Sequence, residues 1–351
     1  MRRIWDWPLF LLILAIGSVS LLVIYSINKN LALNQLVFWL LGLTVLYFVS
    51  LFDFRSFLKI SLGFYVLTII FLALVHFVGE PVRGSIRWID LGFFRFQPSE
   101  IAKVSSVIAL ASFYSQKSAK DLRNLVLSLL IILPLVFLIL IQPDIGNALI
   151  IVCIWFGISL ISGLQIKHLL IFSLLAIILA TFSYEVLAPY QKGRISAFIN
   201  PEKDPLGAGY NIIQSKIAIG SGQFFGRGLG RGSQSQLKFL PETESDFIFA
   251  VTGEQLGFLG ASLVIVLFTA ILLRIINFAK NDIDRFSQLI MTGITSFMLS
   301  QFFINIGMNM GIVPVTGITL PLVSYGGSSL VSTLFLLGII FSIRRLRSQI
   351  E

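Results

Sequence analysis

Residues 124–163 read NLVLSLLIILPLVFLILIQPDIGNALIIVCIWFGISLISG, and in this stretch Asp144 is the one charged residue. A bilayer core about 30 Å thick takes roughly 20 apolar residues as a helix. The stretch is therefore long enough to cross twice. In hydrocarbon every backbone N–H and C=O must be satisfied within the protein, so both crossings should be helices. Gln142-Pro143-Asp144 stands in the middle. Proline lacks the donor a continuing helix needs and aspartate is ionisable, so these three residues mark a tight turn at a membrane face.

The rest of the chain follows the same pattern. Of 351 residues, 56% are apolar and 12% charged, with a mean hydropathy of +0.91. A soluble domain carries about 25% charged residues. A polytopic membrane protein accounts for the difference. The formal charge of +9 does not point to nucleic acid, because the cations fall in short clusters between apolar runs. That placement suits orientation signals and contacts with membrane lipid headgroups. The single cysteine, Cys153, excludes an intramolecular disulfide. His76 and His168 lie far apart in sequence, so no His/Cys metal site is visible. The run from Pro8 to Ile27 is long for a signal sequence and no small-residue cleavage site follows, so it reads as a retained first span.

Apolar runs place about ten spans, near 8–27, 34–51, 57–78, 98–115, 124–142, 144–163, 166–187, 247–274, 286–310 and 321–343. An even number puts both termini on one side. With Met1 inside, the inner segments carry Arg2, Arg3, Arg55, Lys59, Lys117, Lys120, Arg123, Lys167, Arg274, Lys280, Arg285, Arg344, Arg345 and Arg347. The short outer loops carry Lys29, Arg83, Arg87 and Arg95. The positive-inside rule therefore places both termini in the cytoplasm and the long loop 188–246, between spans seven and eight, outside.

That loop is too long for a simple connection and too rich in apolar residues for disorder. Leu206, Tyr210, Ile213 and Ile217 recur at helical spacing, predicting an amphipathic helix on the outer leaflet. Residues 220–232, GSGQFFGRGLGRG, combine glycines with Arg227 and Arg231. Such a segment could cradle an anion, a lipid headgroup or a pyrophosphate, or could simply bend. The loop ends on Glu242, Glu244 and Asp246 at the mouth of the eighth span, while its cations stand mostly earlier. A carboxylate facing cations suits acid–base chemistry on a phosphate-bearing substrate. Taken by itself, the local sequence favours a plain helix N-cap for Asp246 over a catalytic role.

Glu100 and Lys103, three apart at the outer start of the fourth span, share one helix face. Ionisable groups at this depth line a cavity or pair structurally. Gln97-Pro98-Ser99-Glu100 and Gln142-Pro143-Asp144 echo one another as helix starts. From Asn305 to Ser329, two prolines and many small residues predict a broken connection and close helix packing.

Taken in order, these stretches resemble one family, the shape, elongation, division and sporulation proteins that include the RodA and FtsW peptidoglycan glycosyltransferases. The matching residues are Gln97-Pro98-Ser99-Glu100, Gln142-Pro143-Asp144-Ile145-Gly146, Phe239-Leu240-Pro241-Glu242 with Asp246-Phe247-Ile248-Phe249-Ala250, and Pro314-Val315-Thr316-Gly317 through Ser324-Tyr325-Gly326-Gly327-Ser328-Ser329. Asp204 to Tyr210 followed by Ile213 to Gly220, together with short tails, looks more like the elongation member than the division member. Thr243-Glu244-Ser245 departs from the family pattern, which is more basic or bears histidine there.

The resemblance implies polymerisation of lipid II outside the bacterial cytoplasmic membrane. It implies Asp246 as general base, with Glu100, Lys103, Arg194, Gln214, Ser215, Lys216 and Glu242 at the substrate. It leaves room for a divalent cation, magnesium or manganese, as cofactor, and implies a class B penicillin-binding protein as partner. A lipid II flippase and a non-catalytic scaffold are the alternatives, ranked in that order after the polymerase. The acid-bearing outer loop favours chemistry over transport.

Overall fold

The computed structural model describes residues 5–82, 85–90, 92, 95–172, 174, 189–207, 209–237 and 239–350. Twelve helices are bounded there: α1 Trp7–Ile27, α2 Lys29–Leu51, α3 Arg55–Val78, α4 Pro98–Gln116, α5 Leu122–Ile141, α6 Ile145–Ile161, α7 Pro189–Ile199, α8 Tyr210–Ser221, α9 Ser233–Gln236, α10 Ile248–Lys280, α11 Arg285–Met310 and α12 Gly327–Ile350. Seven of them, α1, α2, α3, α5, α10, α11 and α12, are long and apolar enough to cross a membrane. α4 and α6 occupy the expected fourth and sixth places; α6 is shorter, at 17 residues. The expected seventh span is helical over 166–172, and most of its remainder lies outside the described residues.

Local chemistry sets the helix ends. Asp6 Oδ1 accepts from the Leu9 amide at 2.9 Å, Asp144 Oδ1 from Asn147 at 3.2 Å and Asp284 Oδ2 from Ser287 at 2.9 Å, each satisfying an orphan first-turn donor. Asn28 ends α1 and caps α2, so the first two spans join at one residue. Gln142-Pro143-Asp144 does form the turn between α5 and α6. α4, α6, α11 and α12 form the interior, with α2 on α12, α3 on α4 and α1 on α10. The exposed leucines and phenylalanines of α2, α3 and α5 are the surface a bilayer would cover.

Two features have no counterpart in the expected pattern. Between α3 and α4 the chain forms a small antiparallel sheet, β1 Glu80–Val82, β2 Ser85–Asp90 and β3 Arg95–Phe96, in the order β1-β2-β3. The second is a break in α10 at Gly257, whose φ of 66° and ψ of −162° lie in a region essentially reserved for glycine. The loop fills this break. Arg227 and Gly228 amides donate to the carbonyls of Glu254 and Gln255 at 2.9 and 3.0 Å, and Phe258 and Leu259 amides donate to Gln223 and Phe224 at 2.8 and 3.2 Å. A β-carbon on Gly226 would stand 2.2 Å from the Gln255 carbonyl oxygen, and one on Gly257 2.3 Å from the Gly226 nitrogen. The glycines of 222–228 therefore serve backbone-to-backbone docking, which satisfies the groups the broken helix frees. Of the two readings of this segment, an anion cradle or a bend, the structure supports the structural one.

Candidate active site

The residues from Leu240 to Phe247 form a knot of turns ahead of α10. Three consecutive amides, Ser245, Asp246 and Phe247, donate to the single carbonyl of Glu242 at 3.2, 3.1 and 3.2 Å. Glu242 has a positive φ of 48°, and its Oε2 accepts from Ser245 Oγ at 3.1 Å. The helix N-cap position falls on Phe247, so Asp246 stands one residue before it rather than serving as the cap.

The connector between α11 and α12 closes over this knot. Ser324 Oγ donates to the Ser245 carbonyl at 2.6 Å and accepts from the Leu320 amide at 2.8 Å, while the Tyr325 amide donates to the Glu244 carbonyl at 2.7 Å. A β-carbon on Gly317, at φ 74°, would lie 3.4 Å from Asp246 Oδ2, so the half-buried carboxylate rests against a position without a side chain. From beneath, Asn305 and Asn309 of α11 each donate their side-chain amide to the Asp246 carbonyl at 3.0 Å. Asn309 Oδ1 accepts from the Ala250 amide at 3.1 Å.

A second polar cluster lies on the other side of the connector. Lys103 Nζ sits 2.6 Å from Glu100 Oε1 and 3.1 Å from Asn147 Oδ1, with the Phe297 ring 5.4 Å away. Asn147 Nδ2 donates to Asp144 Oδ2 at 2.8 Å, and Arg87 of β2 stands 3.9 Å from Asp144. Arg87 also donates to the carbonyls of Gln142 (2.9 Å) and Pro143, which ties the small sheet to the turn between α5 and α6. A β-carbon on Gly146 would lie 3.2 Å from the Thr316 carbonyl, one residue from the glycine beside Asp246. Thr316 and Gly317 thus lie between the two clusters.

The remaining candidates distribute unevenly. Ser215 is fully buried and donates to the Asn309 carbonyl at 2.7 Å, so it braces α8 against α11. Lys216 is exposed, with its side chain laid over Gly311 at the C-terminal end of α11, where a cation is favoured by the helix dipole. Gln214 is half-buried on the same helix. Arg194 is exposed on α7, which packs on the 3₁₀ turn Pro201–Lys203. Helix α8 exists as expected and buries Ile212, Ser215 and Ala218 against the protein. Leu206 is 88% and Ile217 45% exposed, because apolar residues in a membrane-bound loop are free to face lipid. Sequence reasoning missed Asn305 and Asn309 as site residues; their spacing of four within an apolar helix was the available signal.

Comparison with known proteins agrees with this architecture. A family model described as "Cell cycle protein", covering FtsW, RodA and SpoVE, matches residues 4–349. Peptidoglycan glycosyltransferase MrdB of Escherichia coli K12 is 38% identical over 289 residues, covering 82% of this chain and 78% of the relative. Stage V sporulation protein E of Bacillus subtilis is 36% identical, covering 97% of each. A solved structure described as coordinating polymerization and crosslinking by a peptidoglycan synthase complex superposes with a TM-score of 0.85, at 32% identity and 98% coverage of both chains. The rod shape determining protein RodA of Thermus thermophilus superposes with a TM-score of 0.75, at 29% identity and covering 98% of this chain and 97% of its own. This multi-pass membrane protein belongs to the FtsW/RodA/SpoVE family.

Proposed function

We propose that this chain is a peptidoglycan glycosyltransferase that polymerises lipid II at the outer face of the bacterial cytoplasmic membrane during cell elongation. The observation that carries the reading is the placement of Asp246. Its main chain is held by two asparagine amides and the Glu242 carbonyl, and its carboxylate is half-buried against Gly317. A general base needs this combination of fixed position and partial access.

In the proposed step, the Asp246 carboxylate takes the proton of the acceptor sugar's 4-hydroxyl as that oxygen attacks the donor's anomeric carbon. The bond from that carbon to the pyrophosphate oxygen breaks, and undecaprenyl pyrophosphate leaves with the electron pair. Attack from the opposite face turns an α-linked donor into a β-1,4 bond. Lys216 and Arg194 are exposed cations of the outer loop and suit the charge on the leaving pyrophosphate. Lys103, fully enclosed, bears on the site through the walls rather than by contact.

Among the described residues no group of three His, Cys, Asp or Glu side chains stands together to hold a metal ion. Magnesium commonly rests on one or two carboxylates together with substrate phosphates, so a divalent cation here would be held jointly with the pyrophosphate, and no step is assigned to one. A class B penicillin-binding protein, crosslinking the new glycan, is the proposed partner.

The test is glycan formation from purified lipid II by the protein with its partner, the partner's active serine disabled. General-base catalysis contributes about 10²–10⁴-fold. Asp246→Asn should therefore lose nearly all polymer while eluting as a folded protein. Polymer at the wild-type rate from that variant would refute the assignment; bound lipid II without polymer from either protein would favour flipping or scaffolding.

A further inference from the structure

In an α-helix the amide of residue 250 donates to the carbonyl of residue 246. Here both groups are present and neither meets the other. The Ala250 amide donates to Asn309 Oδ1 at 3.1 Å, and the Asp246 carbonyl accepts from Asn309 Nδ2 at 3.0 Å. One residue further on the ladder is regular, with the Val251 amide on the Phe247 carbonyl at 3.1 Å. Ala250 is the last of the first-turn amides that the helix itself leaves unpaired, and the Asn309 side chain stands in for the next rung, between that amide and the Asp246 carbonyl. We infer that Asn309 is a positioning residue, a wedge that holds Asp246 out of the eighth span's helix and so sets where its carboxylate points. This rests on the reading of Asp246 as the general base.

Only a primary amide fills this place. The site demands a donor at one end and an acceptor at the other, both facing fixed backbone groups, which also forces the orientation of the amide. Asn309 is fully buried and both its N–H donors are engaged, since Nδ2 also donates to the Asn305 carbonyl at 2.8 Å. The wedge is itself braced. Ser215 Oγ holds the Asn309 carbonyl, and Asn305 spans from the Asp246 carbonyl to that of Ile318 at 2.7 Å. Helix α8, α11 and the connector thus converge on one peptide group. Leucine at 309 strands the Ala250 amide and leaves the Asp246 carbonyl with Asn305 alone, and the cheapest repair is for Ala250 and Asp246 to bond each other. Asp246 would then join the helix, where each residue turns by about 100°, and its carboxylate would leave its place beside Gly317. Aspartate at 309 would keep the acceptor for Ala250 but set an oxygen against the Asp246 carbonyl.

Two measurements on the purified full-length chain test this. In the first, a cysteine replaces Asp246 in a chain whose Cys153 is serine, and its reaction rate with a membrane-impermeant maleimide is compared with Asn309 intact and as Asn309→Leu. This readout needs no catalysis, so it stands even if Asp246 is not the base. The expected result is a severalfold change in rate in a chain that still elutes as a single folded species. In the second, with Asp246 present, Asn309→Leu and Asn309→Asp should lower kcat for polymerisation about 10- to 100-fold, as small misplacement of a reacting group does, with KM within about twofold. Asn309→Gln, which keeps both donor and acceptor, should recover part of the loss. Equal labelling rates in the two backgrounds would overturn the wedge. A changed rate with kcat retained would overturn its role in the reaction.

Discussion

Replacing Lys103 by methionine should destabilise the protein by about 3–5 kcal/mol, the cost of stripping one partner from a buried ion pair. The structure places the expected loss toward the upper end. Lys103 has no exposed surface and Glu100 is 3% exposed, so water cannot take over. Among the described residues Glu100 Oε2 has no hydrogen-bond partner, which leaves the carboxylate dependent on the 2.6 Å bond from Lys103 to Oε1. The Asn147 side-chain oxygen, Oδ1, loses its donor at the same time. Methionine keeps the length of the side chain and its contact with the Phe297 ring, so little of the loss is packing. The double variant Glu100→Gln with Lys103→Met removes both charges and should recover most of the penalty, giving a coupling energy at or above about 3 kcal/mol, the top of the usual range. Unfolding titrations in mixed detergent micelles, run on all four proteins, measure it. A double variant no more stable than Lys103→Met would refute the argument that the stranded carboxylate is the cost. A stable but inactive double variant would show that the pair also serves the reaction.

Two further outcomes follow from the geometry. Gly257→Ala places a β-carbon within 2.6 Å of both the Gly226 nitrogen and the Phe224 carbonyl oxygen, and demands a backbone conformation costing about 1–3 kcal/mol; it should lower the apparent melting point and open residues 223–228 to proteolysis, and an unchanged digestion pattern would count against docking of the loop in the helix break. Reporter proteins fused to either terminus should report the cytoplasm, while an epitope inserted at the exposed Asp204–Gly207 turn should be reached from outside; the reverse pattern would overturn the orientation.

The spans were legible because hydrocarbon leaves helices no alternative, and a run such as Leu122–Ile141 admits one reading. The turn at Pro143 and Asp144 was legible for the same reason: proline and charge there have few other uses. The sheet at 80–96 was missed, although Ser85-Ile86-Arg87-Trp88-Ile89-Asp90 alternates as a strand should; beside 20-residue apolar runs, six residues carry little weight. The glycine-rich segment was ambiguous in principle, since an approaching phosphate and an approaching peptide make the same demand for a missing side chain. Which face of α8 meets the protein was not legible, because apolar periodicity shows which side avoids water, and beside a bilayer that side need not face the protein. Asp246 is a candidate through its neighbours in the chain, while Asn305 and Asn309, which hold its backbone, come from another helix some sixty positions later. Partners brought together by folding leave no local pattern.

The break at Gly257 also bears on how the chain is made. Residues 223–228 are synthesised before residues 248–280, so the strand that fills the gap exists before the gap does. In lipid, each unsatisfied peptide group costs several kcal/mol, and the open break would expose the carbonyls of Glu254 and Gln255 with the amides of Phe258 and Leu259. The lowest-cost route is for the eighth span to enter the bilayer as an unbroken helix and to part only when the waiting loop slides in. Docking and breaking then become one event, so the N-terminal part of this span takes its final shape after insertion, late in biogenesis.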